Sequence, residues 1–422
     1  MKKLSATDSR LSRRELIAGA AATAGAALVP GLATEAQAPA ASAPPPQPPQ
    51  VPADPSAAPG APTSAMSPRS PFETPARTPT GAQAGSSLTP LHKLTGTMTP
   101  NDLMFERHHS GVPAIDPARH KLLVHGLVDR PMAFNVDELR RFPSVSRIYF
   151  LECSGNGRAA YRDPKPEMTP QNVDGLTCNG EWTGVPLKVL LNETGVRASA
   201  KWFFAEGSDA AKMSRSIPME KALDDALVVW AFNGEPLRPS NGYPIRLFLP
   251  GFEGNTCVKW LRRIELVDQP NMSKDETSKY TDPLLGGKAR QFSFVMDAKS
   301  VITSPATPAR ISRGWREISG VAWSGRGRIT RVEISTDAGA TWEAAELHGP
   351  VLAKAHTRFS IMWNWNGRST AIMSRATDET GYVQPTRALF ESTRGKGTDY
   401  HYNHIRAWNV DRSGAVTFAG AL

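Results

Sequence analysis

Tyr149-Phe-Leu-Glu-Cys-Ser-Gly-Asn-Gly-Arg158 is the stretch around which this 422-residue chain can be organised. Ile148 to Leu151 is an apolar run of strand type, and Ser154-Gly-Asn-Gly157 has the composition of a tight loop. Cys153 is therefore placed at a strand exit, where active sites are commonly built. The glycines let a backbone approach a large ligand closely, and Arg158 offers a charge that favours thiolate. Three roles fit the thiol: nucleophile, soft-metal ligand, or small buried hydrophobe.

The N-terminus narrows these roles. Lys2 and Lys3 open a positive region, and Ser12-Arg13-Arg14 precedes an Ala- and Gly-rich apolar stretch from Leu16 to Val29. Ala36-Gln-Ala38 then offers a small-residue cleavage site. An apolar stretch of about 14 residues is too short to span a bilayer. The expectation is a twin-arginine signal peptide over residues 1–38 and a periplasmic location. That route carries proteins that fold before export, often around a cofactor.

The formal net charge is +9. Loss of residues 1–38 removes five basic and three acidic side chains and leaves +7. No Lys/Arg run or nucleic-acid motif accompanies this excess, and no later apolar run reaches about 18 residues. Neither nucleic acid nor a membrane is expected as a partner. Cys153, Cys178 and Cys257 are an odd count, poor for a disulfide framework. C-x-x-C, haem-attachment, zinc, iron–sulfur, dinucleotide and P-loop patterns are missing from the sequence.

Residues 39–88, rich in Pro, Ala, Ser and Thr, read as a disordered, partly polyproline linker. From residue 89 to 287 short strands and helices mix: a strand over Lys121–Val128, a helix over Val136–Phe142 capped by Asn135, and a helix end at Val189–Asn192 before Gly195. This predicts an α+β domain without βαβ alternation. Residues 288–422 turn to strands, at Ile318–Trp323, Ile329–Ser335 and Arg358–Trp365, which predicts an immunoglobulin-like sandwich. Trp323, Trp342, Trp363 and Trp365 supply more aromatic surface than one small sandwich buries, so part of it is expected to face a second copy.

These residues carry a family resemblance. Glu152-Cys-Ser-Gly-Asn-Gly-Arg158 resembles the cysteine loop of the sulfite oxidase family of molybdenum enzymes. Phe105-Glu-Arg-His-His109 resembles its F-x-R-N-H segment. Asn241-Gly-Tyr-Pro-Ile-Arg246, Pro250-Gly-Phe-Glu-Gly254 and Cys257-Val-Lys-Trp-Leu261 follow in the family's order, with Tyr280 at the spacing of its active-site tyrosine. Gly320-Val-Ala-Trp-Ser-Gly325 and Ser335-Thr-Asp-Ala-Gly-Ala-Thr-Trp342 are similar to its dimerisation domain.

The resemblance implies a sulfite-oxidase-type molybdopterin domain and a dimerisation sandwich, with a molybdenum–molybdopterin cofactor and no haem in this chain. Cys153 would ligate the metal. Arg107, Arg158 and Arg394 would form an anion pocket beside it, and Tyr280 would face the substrate. Arg246 and Lys259 would meet the pterin phosphate, which calls for basic side chains. His108, His109, Asn241 and Cys257 would contact the pterin, and Cys178 would be structural. Asn241 stands where many relatives have His, and Cys257 where many have Ser. The family's aromatic residue after the cysteine loop has no counterpart in Arg162–Thr177.

The linker and the Phe105–Pro113 segment look most like the branch made of the molybdenum subunits of periplasmic sulfane dehydrogenases. That branch implies oxidation of carrier-bound sulfane sulfur, a sulfur-carrier protein, a c-type cytochrome acceptor, and a homodimer within a heterotetramer. The alternatives are a dehydrogenase of free sulfite and a sulfoxide-type reductase.

Overall fold

The computed structural model describes residues 61–420, so the expected leader and the first part of the linker lie outside the described residues. The chain divides into Met1–Pro68 and Arg69–Leu422, and every strand and helix among the described residues belongs to the second unit.

The expected linker is corrected at its C-terminal end. Thr78–Thr80 pairs antiparallel with Ser86–Leu88, and Ser86 and Ser87 pair with Arg107 and Glu106. Gln171 Nε2 donates to the carbonyls of Ala76 (3.0 Å) and Leu88 (2.7 Å). Backbone ladders and one amide hold this segment, so its low apolar content did not reveal it.

Two five-stranded sheets follow. One runs Glu235–Pro236, Leu227–Phe232, Thr177–Pro186 and Val145–Glu152, all antiparallel, with Arg246–Phe248 also on Leu227–Phe232. The other runs Met132–Asn135, Lys121–Gly126, Leu261–Val267, Trp202–Gly207 and Ser214–Pro218, with one parallel pair, Lys121–Gly126 on Leu261–Val267. Along Lys121–Gly126 the alternation puts Leu122 and Val124 inward. They share one core with Trp182, Val185, Val228 and Leu247 of the first sheet. The expected caps form: Asn135 and Glu138 make a reciprocal capping box, and Gly195 ends the helix Leu187–Thr194.

The C-terminal part packs two antiparallel sheets, Lys299–Ser304 / Gly314–Trp323 / Thr357–Trp365 / Glu346–His348 and Glu343–Ala344 / Ile329–Ser335 / Thr370–Asp378 / Ala407–Val410 / Val416–Gly420. Ile318, Phe359, Val332, Ile372 and Trp408 fill the space between them. This is the α+β domain and sandwich that the alternation predicts. The tryptophans sort differently from expectation. Trp323 and Trp365 are buried, and Trp315, which the sequence reading passed over, is 63% exposed.

The sandwich meets the first domain at the end of the strand that leads to Cys153. Phe150 N–H donates to Lys354 O (2.8 Å), and the Phe150 ring lies 6.3 Å from that of Trp323. Buried Glu152 accepts from Trp323 Nε1 (2.7 Å), Lys299 Nζ (3.0 Å) and Asn156 Nδ2 (2.9 Å). Lys299 also pairs with Asp174 (2.6 Å), which pairs with Arg406 (3.3 Å). Burial pushes the Asp174 pKa up, but Arg406 and Lys299 outweigh it and hold the carboxyl below its usual range.

Replacing Lys299 by Met leaves Glu152 and Asp174 with too little positive charge. It is expected to lower stability by about 3–5 kcal/mol in chemical unfolding, against well under about 1 kcal/mol for a surface lysine. A second expectation concerns pH. Burial holds His356 down to about 3, and burial with Arg406 and Lys299 lowers His404 as well. Both stay neutral in the fold while the unfolded chain takes up protons below about 6.5. Stability should therefore fall as pH drops from about 6.5 towards 3, by up to about 1.4 kcal/mol per pH unit for each histidine. A flat unfolding midpoint across that window would contradict the assignment.

Candidate active site

The strand Val145–Glu152 delivers Cys153 to the wall of a cavity with about 680 Å³ of empty space, part of it open to solvent. The loop that follows turns sharply. Asn156 N–H donates back to Cys153 O (2.9 Å), and Gly157 adopts φ +92° to start the helix Arg158–Arg162. A Cβ at Gly157 would lie 2.4 Å from Arg406 Nη2, so only glycine fits. From the other side Gly254 N–H donates to Glu152 O (2.7 Å), and a Cβ at Gly254 would lie 2.7 Å from that same oxygen.

Of the expected site residues, Arg107, His108, His109, Cys153, Asn241, Arg246, Cys257, Lys259 and Tyr280 line this one cavity. Arg107 sits on a short strand beside the N-terminal pair, and its guanidinium and the His108 N–H (2.8 Å) both donate to Gly85 O. Lys259 Nζ reaches Arg107 O (3.1 Å), Ser240 O (2.9 Å) and His108 Nδ1 (2.7 Å). The other ring nitrogen of His108 meets Glu106 at 2.9 Å. A neutral His108 satisfies both contacts, accepting from Lys259 at Nδ1 and donating from Nε2 to Glu106. The His108 hydrogen bond, with Arg77, holds the Glu106 carboxyl down to about 2 despite partial burial. Buried Arg246 donates to Asn241 O (3.0 Å) and Cys257 O (2.9 Å), and Asn241 Nδ2 donates to Phe105 O (3.2 Å).

Tyr280 hydrogen-bonds His109 Nε2 at 2.7 Å, and its N–H donates to the Tyr400 hydroxyl at 3.1 Å. Burial raises the Tyr280 pKa and lowers that of His109 to about 4, so the pair is neutral. Cys153 is half-buried, and desolvation raises its pKa although the charges of Arg107 and Arg158 pull it down. The thiolate stabilisation expected from Arg158 is thus outweighed. Cys178 is fully buried in the core and is pushed up to about 12.

Two expected residues do not line the cavity. Arg158 turns from the cysteine loop to Asp399 O (Nη2, 2.6 Å), and its guanidinium lies 5.2 Å from the Tyr400 ring, which packs against the Tyr280 ring at 5.3 Å. Arg394 is corrected: it pairs with Asp297 (2.9 Å) and Asp282 (3.6 Å), because two buried carboxylates hold its charge. The sequence reading passed over Arg215. It is fully buried, sits 5.1 Å from the Tyr280 ring and pairs with Glu253 at 3.2 Å. Its short Ser214-Arg-Ser216 context carried no motif. Trp260, quoted only as part of a motif, stacks on His108 at 5.8 Å.

The charge balance fits an anionic cofactor. Among the described residues Arg107, Arg246 and Lys259 have no carboxylate partner, and Arg246 Nε has no hydrogen-bond partner. Burial, followed by repulsion from Arg246, drives the Lys259 pKa well below its usual value, a cost that an anion in the cavity would remove. No group of three or more His, Cys, Asp or Glu able to hold a metal ion occurs among the described residues, so a metal on Cys153 needs ligands from outside the polypeptide.

The sequence model of the oxidoreductase molybdopterin binding domain matches residues 109–274, and that of the Mo-co oxidoreductase dimerisation domain matches 290–407. Mouse mitochondrial sulfite oxidase is 29% identical over 337 residues, which is 74% of this chain but 62% of that protein. NADH nitrate reductase of Solanum lycopersicum is 32% identical over 358 residues, only 39% of its length, so this chain spans only part of the length of these relatives. Chicken sulfite oxidase is 30% identical over 313 residues, 68% of each protein. The crystal structure of the sulfane dehydrogenase SoxCD from Paracoccus pantotrophus superposes with a TM-score of 0.83 at 43% identity, over 86% of this chain and 95% of that one. With both domains matched in order and the fold shared over 86% of the chain, this chain belongs to the sulfite oxidase family of molybdopterin oxidoreductases.

Proposed function

We propose that the chain is the molybdenum subunit of an exported sulfane dehydrogenase, oxidising sulfur bound to a carrier protein and passing electrons to a c-type cytochrome. The observation that carries this reading is the 43% identity over 95% of a sulfane dehydrogenase chain, against about 30% to sulfite oxidases and nitrate reductases. The twin-arginine leader, the linker ahead of Thr78, the boundaries at residues 38 and 287, and a homodimer within a heterotetramer belong to the same proposal. Trp315 and Met362, exposed on neighbouring sandwich strands, are candidates for the surface between copies.

Bound molybdenum–molybdopterin would supply the two-electron redox chemistry. Cys153 would be the protein's thiolate ligand. Burial disfavours a free thiolate there and so argues against a nucleophile, whereas a bound metal deprotonates a thiol outright. Lys259, Arg246 and the neutral His108 would hold the anionic part of the cofactor. Arg107 and Tyr280 would face the substrate, Arg107 holding an anionic sulfur group and Tyr280 donating a hydrogen bond. Each oxygen added to sulfur comes from one water, which releases two protons and two electrons. The cavity is partly open to solvent, which would take up the protons, and the electrons would leave to the cytochrome.

Purified holoprotein with ferricytochrome c as acceptor should oxidise a persulfidated carrier at least about tenfold better than free sulfite, judged by kcat/KM. Equal or faster oxidation of sulfite would make it a sulfite dehydrogenase. Cys153→Ser should keep the fold by circular dichroism yet lose turnover; an active variant would overturn the ligand assignment. Arg107→Gln should raise KM for an anionic substrate about tenfold or more and reduce its salt sensitivity. Arg158→Gln, already engaged by Asp399, should do so far less.

A further inference from the structure

Arg394 closes the helix Arg387–Arg394 in the sandwich domain, outside the cavity. Its Nη2 donates to Asp297 Oδ2 at 2.9 Å, while the other oxygen of Asp297 already accepts from Arg326 Nε (2.9 Å) and Nη2 (2.7 Å). Arg326 can neutralise Asp297 alone, which leaves the charge of Arg394 for Asp282, 3.6 Å from its Nη1. Asp282 is two residues beyond Tyr280, at the base of a hairpin in which Asp282–Pro283 pairs with Ala289–Arg290. Ser293 Oγ donates to Asp282 from the returning arm.

Tyr280 itself needs holding. Its φ of +53° is unfavourable for a side chain of this size and persists only where neighbours impose it. One constraint is the Tyr400 hydroxyl that accepts its N–H, on the loop that follows the Arg394 helix. A second is the His109 ring nitrogen that meets its hydroxyl, and the Asp282 base is a third. Arg394 Nη1 and Asp282 Oδ1 are both buried without a hydrogen-bond partner among the described residues. Charge attraction rather than a fixed hydrogen bond therefore ties Arg394 to the hairpin base, and a small inward shift would let the two groups pair directly.

We propose that Arg394 is a positioning residue for Tyr280: its bridge from Asp297 to Asp282 fixes the hairpin base and so sets the Tyr280 hydroxyl at the cavity. The sandwich domain thereby controls a side chain of the catalytic domain. The inference rests on the reading of Tyr280 as a substrate-facing residue.

Lys288 and Arg290 are exposed on this hairpin, so trypsin reports its opening without any turnover. Arg394→Gln should speed cleavage after Lys288 and Arg290 about tenfold or more in the cofactor-loaded chain, with Arg394→Lys between it and the wild type. With persulfidated carrier and ferricytochrome c, Arg394→Gln should lower kcat/KM about tenfold, but less than about twofold in a Tyr280→Phe background, since a residue acting through Tyr280 has nothing left to position. An unchanged cleavage rate, or an equal loss in both backgrounds, would overturn the proposal. If Tyr280→Phe alone turns over like the wild type, the substrate-side reading of Tyr280 fails, and the cleavage rates still judge the clamp. Should Arg394→Gln fail to fold, Asp282→Asn takes its place, with the same changes in cleavage and turnover expected and the same results overturning the proposal.

Discussion

The buried carboxylate of Glu152 is the contact on which both domains and the site depend. It sits at the last position of the strand before Cys153 and accepts from Trp323, Lys299 and Asn156, while its backbone carbonyl accepts from Gly254. The sandwich supplies two of those side-chain donors and the cysteine loop the third. A buried carboxylate left partly unsatisfied is costly, so the strand end, the loop and the sandwich hold one another in a single arrangement. The thiol is placed by a domain to which it does not belong.

The cavity follows the opposite rule. Around Glu152 every charge has a counter-charge, through Lys299, Asp174 and Arg406. Around Cys153 the cations of Arg107, Arg246 and Lys259 are held by carbonyls and one imidazole instead. Neutral acceptors fix the direction of these side chains without cancelling their charge, and this keeps the cavity receptive to an anion. The neutral Tyr280–His109 pair adds a hydrogen-bonding surface with no charge of its own.

Much of this was legible in the sequence because local signals and tertiary context agree. The strand into Cys153, the Asn135 cap, the alternation of Ile329–Ser335 and eight of the expected cavity-lining residues follow from short motifs, and Tyr280 from its spacing after them. Arg394 misled because nothing near it in sequence shows the two carboxylates that meet it in space, Asp282 and Asp297. Arg215 was missed for the same reason, since Glu253 reaches it from another element. The strands at residues 78–88 escaped notice because hydrogen-bond ladders leave little trace in composition.

Those strands also set a practical limit on how the protein can be shortened. The matched domain begins at residue 109, but the carbonyl that orients Arg107 belongs to Gly85, and the ladder that fixes Arg107 starts at Ser86. A pairing this short has no spare rungs, and a slip of one residue turns each side chain to the opposite face. A fragment cut at the domain boundary would lose Arg107 and His108 from the wall and Met104 and Phe105 from the core. The smallest version able to keep its cavity intact begins ahead of Thr78, well outside the part that sequence families recognise.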